Sequence, residues 1–428
     1  MNPALLDLPA QELLLQLYRA ALDAADPLQV IPPHLPPPPR GRTVVVGVGK
    51  AAAAMAQAVE RHWSGPLGGA VVVPEGATLP LQKIRVFTGS HPVPDASSVQ
   101  GAQALLAAVA GLQADDLVLA LVSGGGSALC ALPAEGLTLS DKQSITRALL
   151  LRGASISEIN TVRRHLSGIK GGRLAAAAYP ARVVSLLISD IPGDEPTLIA
   201  SGPSLPDPSR CADALAVLRR YDITHLPAVL QALEDGLWES IKPGDPRLQG
   251  HQQVVVASAW DGLISACNKA QALGLPCHIL SDAMEGEARD LARAHAAMAL
   301  CVAQRQQPFA APCVLLSGGE ATVTVRGKGR GGRNTEFALA MALALKDQKG
   351  AERIHALSAG TDGLDGRAEA AGAWVGPHSL VQGSATGLSA LACLDQNDSA
   401  SFLEVAGGLV HTGPTFTNIN DFRAVLIR

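Results

Sequence analysis

Short apolar segments rich in β-branched residues recur along this chain, and helical segments separate them. Nearly every one ends in glycine, serine or aspartate, as in TVVVGVG, DLVLALVSGGGS, RVVSLLISD, PCVLLSGGE and IHALSAGTDGLDG. Near-continuous apolar strands separated by helices predict parallel sheets with helices on both faces. Because ligands bind beyond the carboxyl ends of the strands in such sheets, the small residues mark the expected site.

The chain is long enough for two domains, since 428 residues exceed one ordinary domain. A polar linker with proline and glycine, ESIKPGDPRLQG, occupies 239–250. The strand pattern restarts after it at QVVVAS (253–258), and FRAVLIR (422–428) is the expected last strand. The sequence therefore predicts the α/β class: two α/β domains, 1–240 and 241–428, with largely parallel sheets flanked by helices.

Composition excludes several classes of protein. The formal charge is −4 and aromatic residues make up 3% of the chain, so neither a basic field nor a stacking surface for nucleic acid is expected. Residues 1–27 are predicted to form an amphipathic helix; they lack a basic start and an apolar run of about 18 residues. Seven cysteines without a close pair indicate free thiols. A cytoplasmic protein without a membrane partner is expected.

The first glycine motif, GVGKAA, follows a predicted strand and precedes a helix. Gly47 and Gly49 fit the dinucleotide pattern G-x-G-x-x-[GA]. The acidic residue that an NAD site needs about 20 positions later is not well placed, because Glu60 comes early and Glu75 late. Lys50, a fixed cation at the start of a helix, suits a phosphoryl group or a carboxylate. Both interpretations stay open at this point.

Two further glycine-rich stretches are predicted to bind anions. SGGGS supplies backbone N–H groups that form an anion nest, and its residues are Ser123, Gly124, Gly125, Gly126 and Ser127. GKGRGGR places four glycines and three cations directly before a helix. From this stretch we predict contacts by Gly331, Gly332, Asn334 and the guanidinium of Arg333, with the helix N-terminus adding its positive end.

Acidic residues at strand ends suit Mg²⁺, which takes one or two carboxylates together with substrate phosphates. They are Asp190, Asp194, Glu320, Asp362 and Asp365. Each one alone also fits a turn-forming role. His91, at another strand end, is a candidate substrate contact. Arg163 and Lys170 share one helical face if that helix continues past Gly168.

Taken together, the motifs resemble the glycerate 2-kinase family, also called MOFRL or TtuD-type, whose members have often been labelled hydroxypyruvate reductase. The resemblance spans roughly residues 40 to 428. The motifs that carry it stand in order: GVGKAA, TGSHPVPD, VSGGGSAL, INTVRRHLSGIKGGRLA, LISDIPGD, ASGPS, LSGGEATVTVRGKGRGGRNTEFALA, SAGTDGLDG and GPTFTNIND. It implies a two-domain kinase with its site in a deep inter-domain cleft, which uses Mg-ATP to phosphorylate D-glycerate at the 2-hydroxyl.

The resemblance also implies site residues. Lys50 and Arg333 match the family's active-site lysine and arginine, and the glycine loops are assigned to the nucleotide. Asp190 is our candidate to orient or deprotonate the substrate hydroxyl, and Asp194, Glu320 and Asp362 are the candidate Mg²⁺ ligands. Two alternatives remain: an NAD(P)H-dependent hydroxypyruvate reductase, and a two-lobed anion-binding protein without catalysis. A homo-oligomer is left open.

Overall fold

The computed structural model describes residues 9–428, so the first eight residues of the predicted N-terminal helix lie outside the described part. Helix α1 covers Ala10–Asp23. The described chain forms two compact units: Pro27–Val256, and a second unit of residues 9–26 together with Ala257–Arg428. This division differs from the predicted boundary near residue 240, for reasons visible in both sheets.

The first unit contains a six-stranded sheet in the order β3-β2-β1-β4-β5-β6. The pairs among β1 to β5 are parallel. β6, which sequence analysis assigned to the second domain, lies beside β5, so the preceding linker belongs to the first unit. The strands are β1 Thr43–Val48, β2 Leu67–Pro74, β3 Ile84–Gly89, β4 Leu117–Val122, β5 Arg182–Ile188 and β6 Gln252–Ala257.

Helices cover this sheet. α3 is almost all alanine on its buried residues, and α4 and α8 pack on the β-branched side chains of the strands. A separate apolar cluster joins α6, α7, α9 and α10. The helices are α2 Pro27–Val30, α3 Ala52–His62, α4 Ala96–Val109, α5 Gly126–Leu129, α6 Leu139–Leu151, α7 Ile156–His165, α8 Arg173–Ala177, α9 Cys211–Arg220 and α10 Pro227–Glu234.

The second unit contains a mixed six-stranded sheet in the order β13-β12-β11-β14-β9-β7, and a two-stranded pair of β8 and β10. The predicted last strand is confirmed as β14, but it is antiparallel to both of its neighbours, β9 and β11. The prediction of largely parallel sheets is therefore confirmed for the first sheet only. The strands are β7 Cys277–Ser281, β8 Gly286–Glu287, β9 Cys313–Gly319, β10 Ala321–Thr322, β11 Ile354–Gly360, β12 Gly372–Val375, β13 Leu409–Val410 and β14 Asp421–Ile427.

Helices also cover both faces of the second sheet. α12 and α13 pack on one face, and α1 and α11 pack on the other. Tyr18 of α1 lies with its ring 5.7 Å from that of Phe422, and its hydroxyl donates to the Gly360 carbonyl at 2.6 Å. These contacts place the N-terminal helix in the second unit. The helices are α11 Ala259–Ala272, α12 Ala288–Arg305, α13 Arg333–Leu345, α14 Ser379–Ser384, α15 Ala390–Asp395 and α16 Ser399–Val405.

Within residues 9–428, no helix combines the length and the apolar character that a membrane crossing requires.

Candidate functional site

The first sheet has its topological switch point between β1 and β4, which lie side by side although two strands separate them along the chain. In open α/β sheets ligands bind outside the carboxyl ends of the strands at such a point. Gly49 and Lys50 follow β1, and Ser123 follows β4. The structure thus brings the GVGK and SGGGS motifs together, as the strand ends predicted.

The loop after β1 has already used its backbone N–H groups. The N–H of Gly49 donates to a β2 carbonyl at 3.1 Å, and that of Lys50 donates to the Gly124 carbonyl at 2.9 Å. The N–H of Ala51 donates to Ser123 Oγ at 3.0 Å. Since a dinucleotide site binds its pyrophosphate with such groups, this loop is poorly suited to that role.

Packing explains the two glycines of this loop. A Cβ on Gly47 would lie 2.8 Å from Val71 Cγ1, and a Cβ on Gly49 would lie 2.2 Å from Ser123 Oγ. Gly49 also has a φ of +126°, which side-chain-bearing residues rarely adopt. Both glycines thus let neighbouring strands and loops approach, and a nucleotide contact stays a prediction for Gly47 and Gly49. The group that this loop can offer a ligand is the side chain of Lys50.

Gly49→Ala is expected to destabilise the protein by about 2–5 kcal/mol, because the Cβ would meet the Ser123 backbone and the φ is unfavourable. Gly76→Ala is the matched control: its φ is +83° but nothing lies within 4 Å of the added Cβ, so about 1–2 kcal/mol is expected. Urea unfolding of both variants measures the difference. Equal losses would show that the Ser123 contact does not constrain this position.

The loop after β4 is different, because its N–H groups are available. Those of residues 124–127 donate no hydrogen bond to any group in the described part of the chain. Gly125 has a φ of +78°, and a Cβ there would lie 3.4 Å from both Lys50 Cγ and His91 Cδ2. Successive free N–H groups form a concave anion site. The structure therefore supports the predicted nest and places the Lys50 and His91 side chains beside it.

Two flanking serines support the nest. Ser123 is buried and accepts the hydrogen bond from the loop after β1. Ser127 Oγ lies 2.6 Å from Ser201 Oγ, which donates to Asn160 Oδ1 at 3.0 Å. Ser201 has a φ of +61°, a strained conformation that persists where surrounding contacts hold it. The ASGPS motif thus contacts the nest through the Ser201 hydroxyl, and INTVRR holds that hydroxyl through the Asn160 amide oxygen.

Acidic residues lie at the neighbouring strand end. β5 pairs in parallel with β4, with Leu187 opposite Val122, so both strands end at the same edge of the sheet. Asp190 follows β5, and both it and Asp194 are half-buried. Asp194 has a φ of +54°. Two carboxylates therefore stand at the sheet edge that also carries the nest.

The expected basic helical face is not formed, because α7 ends at His165. Arg164 instead makes a buried ion pair with Asp207 at 3.2 Å. Lys170 is buried after the end of the helix, and its ammonium group donates to the Cys130 carbonyl at 2.8 Å. Burial lowers the pKa of Lys170 to about 8. Arg164 and Lys170 therefore bind other residues of the first unit and do not form a solvated basic face.

In the second unit, three strands bring acidic residues to one edge. β9 and β11 flank β14 and run antiparallel to it, so their carboxyl ends meet its first residue, Asp421. Glu320 follows β9 and Asp362 lies just beyond β11. Glu320 is exposed and Asp362 is half-buried. The sheet topology, which the strand-end motifs alone did not reveal, puts all three carboxylates at this edge.

Arg333 lies at the same edge between two of these carboxylates. Its Nε donates to Asp421 Oδ1 at 2.7 Å and its Nη1 donates to Glu320 Oε1 at 2.6 Å. Burial alone would lower the Arg333 pKa, but the charges of Asp421 and Glu320 outweigh it and raise the pKa. Arg333 is thus a fixed, permanently charged group, with 27% of its side chain exposed.

Asp421 holds the Arg333 side chain in place. It is not among the site residues predicted from the sequence. Its carboxylate is fully buried and accepts four hydrogen bonds, from Arg333, Asn334, Arg423 and the Ala321 backbone. Burial would raise the Asp421 pKa, but the two guanidinium charges outweigh it and lower the pKa. The signal that could have found it was an acidic residue directly before the predicted last strand, FRAVLIR.

The N-terminus of α13, predicted to bind an anion, is closed by Asp365. The buried Asp365 carboxylate accepts the N–H groups of Asn334 and Thr335 at 2.9 and 2.8 Å. The Asn334 side chain is also buried and is bonded to Ser358 and Asp421. Asn334 thus has partners for its N–H and its side chain within the unit, and its cofactor contact stays a prediction.

The glycines before α13 are required by packing. A Cβ on Gly331 would lie 2.5 Å from Ser399 Oγ, and one on Gly332 would lie 2.4 Å from Asp365 Oδ1. The Gly332 N–H already donates to Thr335 Oγ1 at 2.9 Å. Packing alone thus accounts for Gly331 and Gly332, and their cofactor contacts stay a prediction. The Arg333 side chain is the group that this motif presents.

Two family models match the chain. Residues 13–234 match a domain of unknown function (DUF4147). Residues 313–421 match the MOFRL family.

Full-length relatives carry two kinds of name. A protein of Agrobacterium vitis with the provisional name hydroxypyruvate reductase is 48% identical over 98% of this chain and 95% of its own. The D-glycerate 2-kinase of Thermotoga maritima is 38% identical over 97% of this chain and 98% of its own. A crystal structure of glycerate kinase from Thermotoga maritima matches with a TM-score of 0.86, at 38% identity, over 98% of this chain and 99% of that one.

Proposed function

The chain belongs to the glycerate 2-kinase family with a MOFRL domain, and on that premise we propose that it transfers the γ-phosphoryl group of ATP to the 2-hydroxyl of D-glycerate. The single observation that carries this proposal is the nest after β4. Its four N–H groups have no partner within residues 9–428 and have the Lys50 and His91 side chains beside them, an arrangement that fits the phosphate oxygens of a nucleotide.

Phosphoryl transfer asks a protein mainly for positioning and for neutralisation of charge. Lys50 is proposed to neutralise the phosphoryl group during transfer. Arg333 is proposed to bind the carboxylate of glycerate, because a planar guanidinium binds a carboxylate with two parallel hydrogen bonds. With the carboxylate held, the adjacent 2-hydroxyl is the oxygen presented to the phosphorus.

Acidic residues complete the proposed site. Asp190 is our candidate to orient or deprotonate the 2-hydroxyl, since it follows the strand beside the nest. Carboxylate oxygens are the ligands that Mg²⁺ prefers, so Asp194 in the first unit and Asp362 in the second each stay a candidate ligand. Mg²⁺ would supply positive charge to the phosphate oxygens. Glu320, the third predicted ligand, already has an oxygen on Arg333, and we propose another role for it below.

The reductase name of some relatives suggests a second candidate. The strand order of the first sheet matches that of dinucleotide-binding domains. However, the N–H groups that would hold the pyrophosphate are engaged after β1. This engagement favours the kinase over an NAD(P)H-dependent reductase.

Paired assays separate the two candidates. We expect the purified protein to form ADP from Mg-ATP when D-glycerate is supplied. With hydroxypyruvate and NADH or NADPH, we expect no oxidation of the reduced cofactor above the rate without protein. Oxidation of either cofactor at a rate that exceeds ATP turnover would reverse the assignment.

A further inference from the structure

Arg333 contacts two carboxylates of very different character. Asp421 is fully buried and holds Nε, whereas the Glu320 side chain, which holds Nη1, is 53% exposed. Both distances are those of short charge-assisted hydrogen bonds. The two partners therefore differ in how readily a ligand could replace them.

Asp421 is the permanent partner. Its two oxygens share four donors, including a second guanidinium from Arg423 at 2.8 Å. Removing Arg333 from this buried network would leave charge uncompensated, which is costly. We expect Asp421 to stay bound to Nε throughout and to fix the orientation of the guanidinium.

Glu320 is the replaceable partner. It directly follows β9, and within residues 9–428 its carboxylate forms a hydrogen bond and an ion pair with Arg333 alone. About half of the side chain is in solvent. Exposed ion pairs contribute little stability. A carboxylate from a small ligand could therefore exchange with it at little cost.

We propose that Glu320 occupies the carboxylate-binding position of Arg333 when no substrate is bound, and that the carboxylate of D-glycerate displaces it. Glu320 is then an affinity-determining residue that competes with the substrate. This inference rests on the proposed function, because it takes the Arg333 ligand to be the substrate carboxylate.

The competition has a chemical consequence. A neutral side chain at position 320 would leave Arg333 with one carboxylate instead of two, and would raise the local positive potential. The anionic substrate should then bind more tightly. A magnesium ligand would show the opposite behaviour, because its loss would raise the Mg²⁺ concentration that turnover needs.

The test compares E320Q with a matched control, E404Q. The Glu404 side chain is 54% exposed and forms an ion pair with Arg330 at 2.9 Å. Arg330 lies three positions before Arg333 in the sequence. For E320Q we expect the KM for D-glycerate to fall by about 2- to 5-fold, the scale of one exposed ion pair. The KM for ATP and the Mg²⁺ dependence should not change, and E404Q should match the wild type.

Three outcomes decide the question. Turnover by the wild type together with a lower KM for D-glycerate in E320Q alone supports the inference. Turnover by the wild type with an unchanged or raised KM in E320Q, or with a greater need for Mg²⁺, overturns this inference and leaves the kinase assignment standing. Absence of glycerate turnover in the wild type overturns the proposed function, and this inference with it.

Discussion

Lys50→Met is expected to lower kcat by about 10²-fold or more, the scale seen when one preorganised charge donor is removed from a reaction site. Lys50 stands beside the nest after β4, where its ammonium group would face the transferred phosphoryl group. The midpoint of thermal unfolding should change little, since methionine preserves the aliphatic stem. Steady-state kinetics and thermal melting measure both quantities.

Lys83→Met is the control for this prediction. Lys83 is an exposed lysine of the same unit, directly before β3, and its replacement should leave kcat unchanged. If Lys50→Met melts much earlier than the wild type but keeps its turnover per folded molecule, Lys50 supports the fold and has no part in the transfer.

Arg333→Ala is expected to lower kcat/KM for D-glycerate by about 10²-fold and also to reduce stability. Stability should fall because Arg333 neutralises the buried Asp421. Loss of this partner should lower the free energy of unfolding by about 1–3 kcal/mol.

Arg333→Lys keeps the charge but loses the planar fork, so it should raise the KM for glycerate more than that for ATP.

Arg330→Ala is the matched control, because Arg330 lies in the same loop and makes an ion pair that is exposed on both sides. Such a pair contributes about 0–1 kcal/mol, and activity should not change. Urea unfolding and initial rates at varied glycerate test both variants. Equal KM values for glycerate in Arg333→Lys and the wild type would contradict the carboxylate role.

Local sequence patterns predicted much of the first unit. Apolar strands that end in small residues marked the carboxyl edge of the sheet, and there the structure places Lys50, His91 and the nest together. The strand-end pattern was enough for this, because β1, β4 and β5 are parallel neighbours whose carboxyl ends lie at one edge of the sheet.

Long-range contacts explain what the sequence did not reveal. Asp421 reaches Arg333 across 88 positions, and Asp365 closes the helix N-terminus that had suggested an anion site. Nothing local distinguishes a carboxylate that caps a distant helix from one in a turn. Likewise, the N-terminal helix packs in the second unit, where the Tyr18 hydroxyl donates to the carbonyl of Gly360, 342 positions away.

Glycine-rich loops are ambiguous in the sequence, since the same residue serves tight packing and ligand binding. Gly47, Gly49, Gly331 and Gly332 are required by neighbouring atoms. The hydrogen-bond partners of the N–H groups distinguish these loops from the one over residues 124–127. Several of those partners, such as Val72, Gly124 and Asp365, are distant along the chain.

The most direct test of the proposed phosphoryl transfer is phosphorus NMR of the product formed from Mg-ATP and D-glycerate. If Arg333 holds the carboxylate while Lys50 and the nest bind the phosphates, the oxygen presented is the one on the carbon next to the carboxylate. The spectrum should then show 2-phosphoglycerate and ADP in equal amounts. A spectrum that shows 3-phosphoglycerate, or inorganic phosphate without a phosphoglycerate, would contradict transfer to the 2-hydroxyl of D-glycerate.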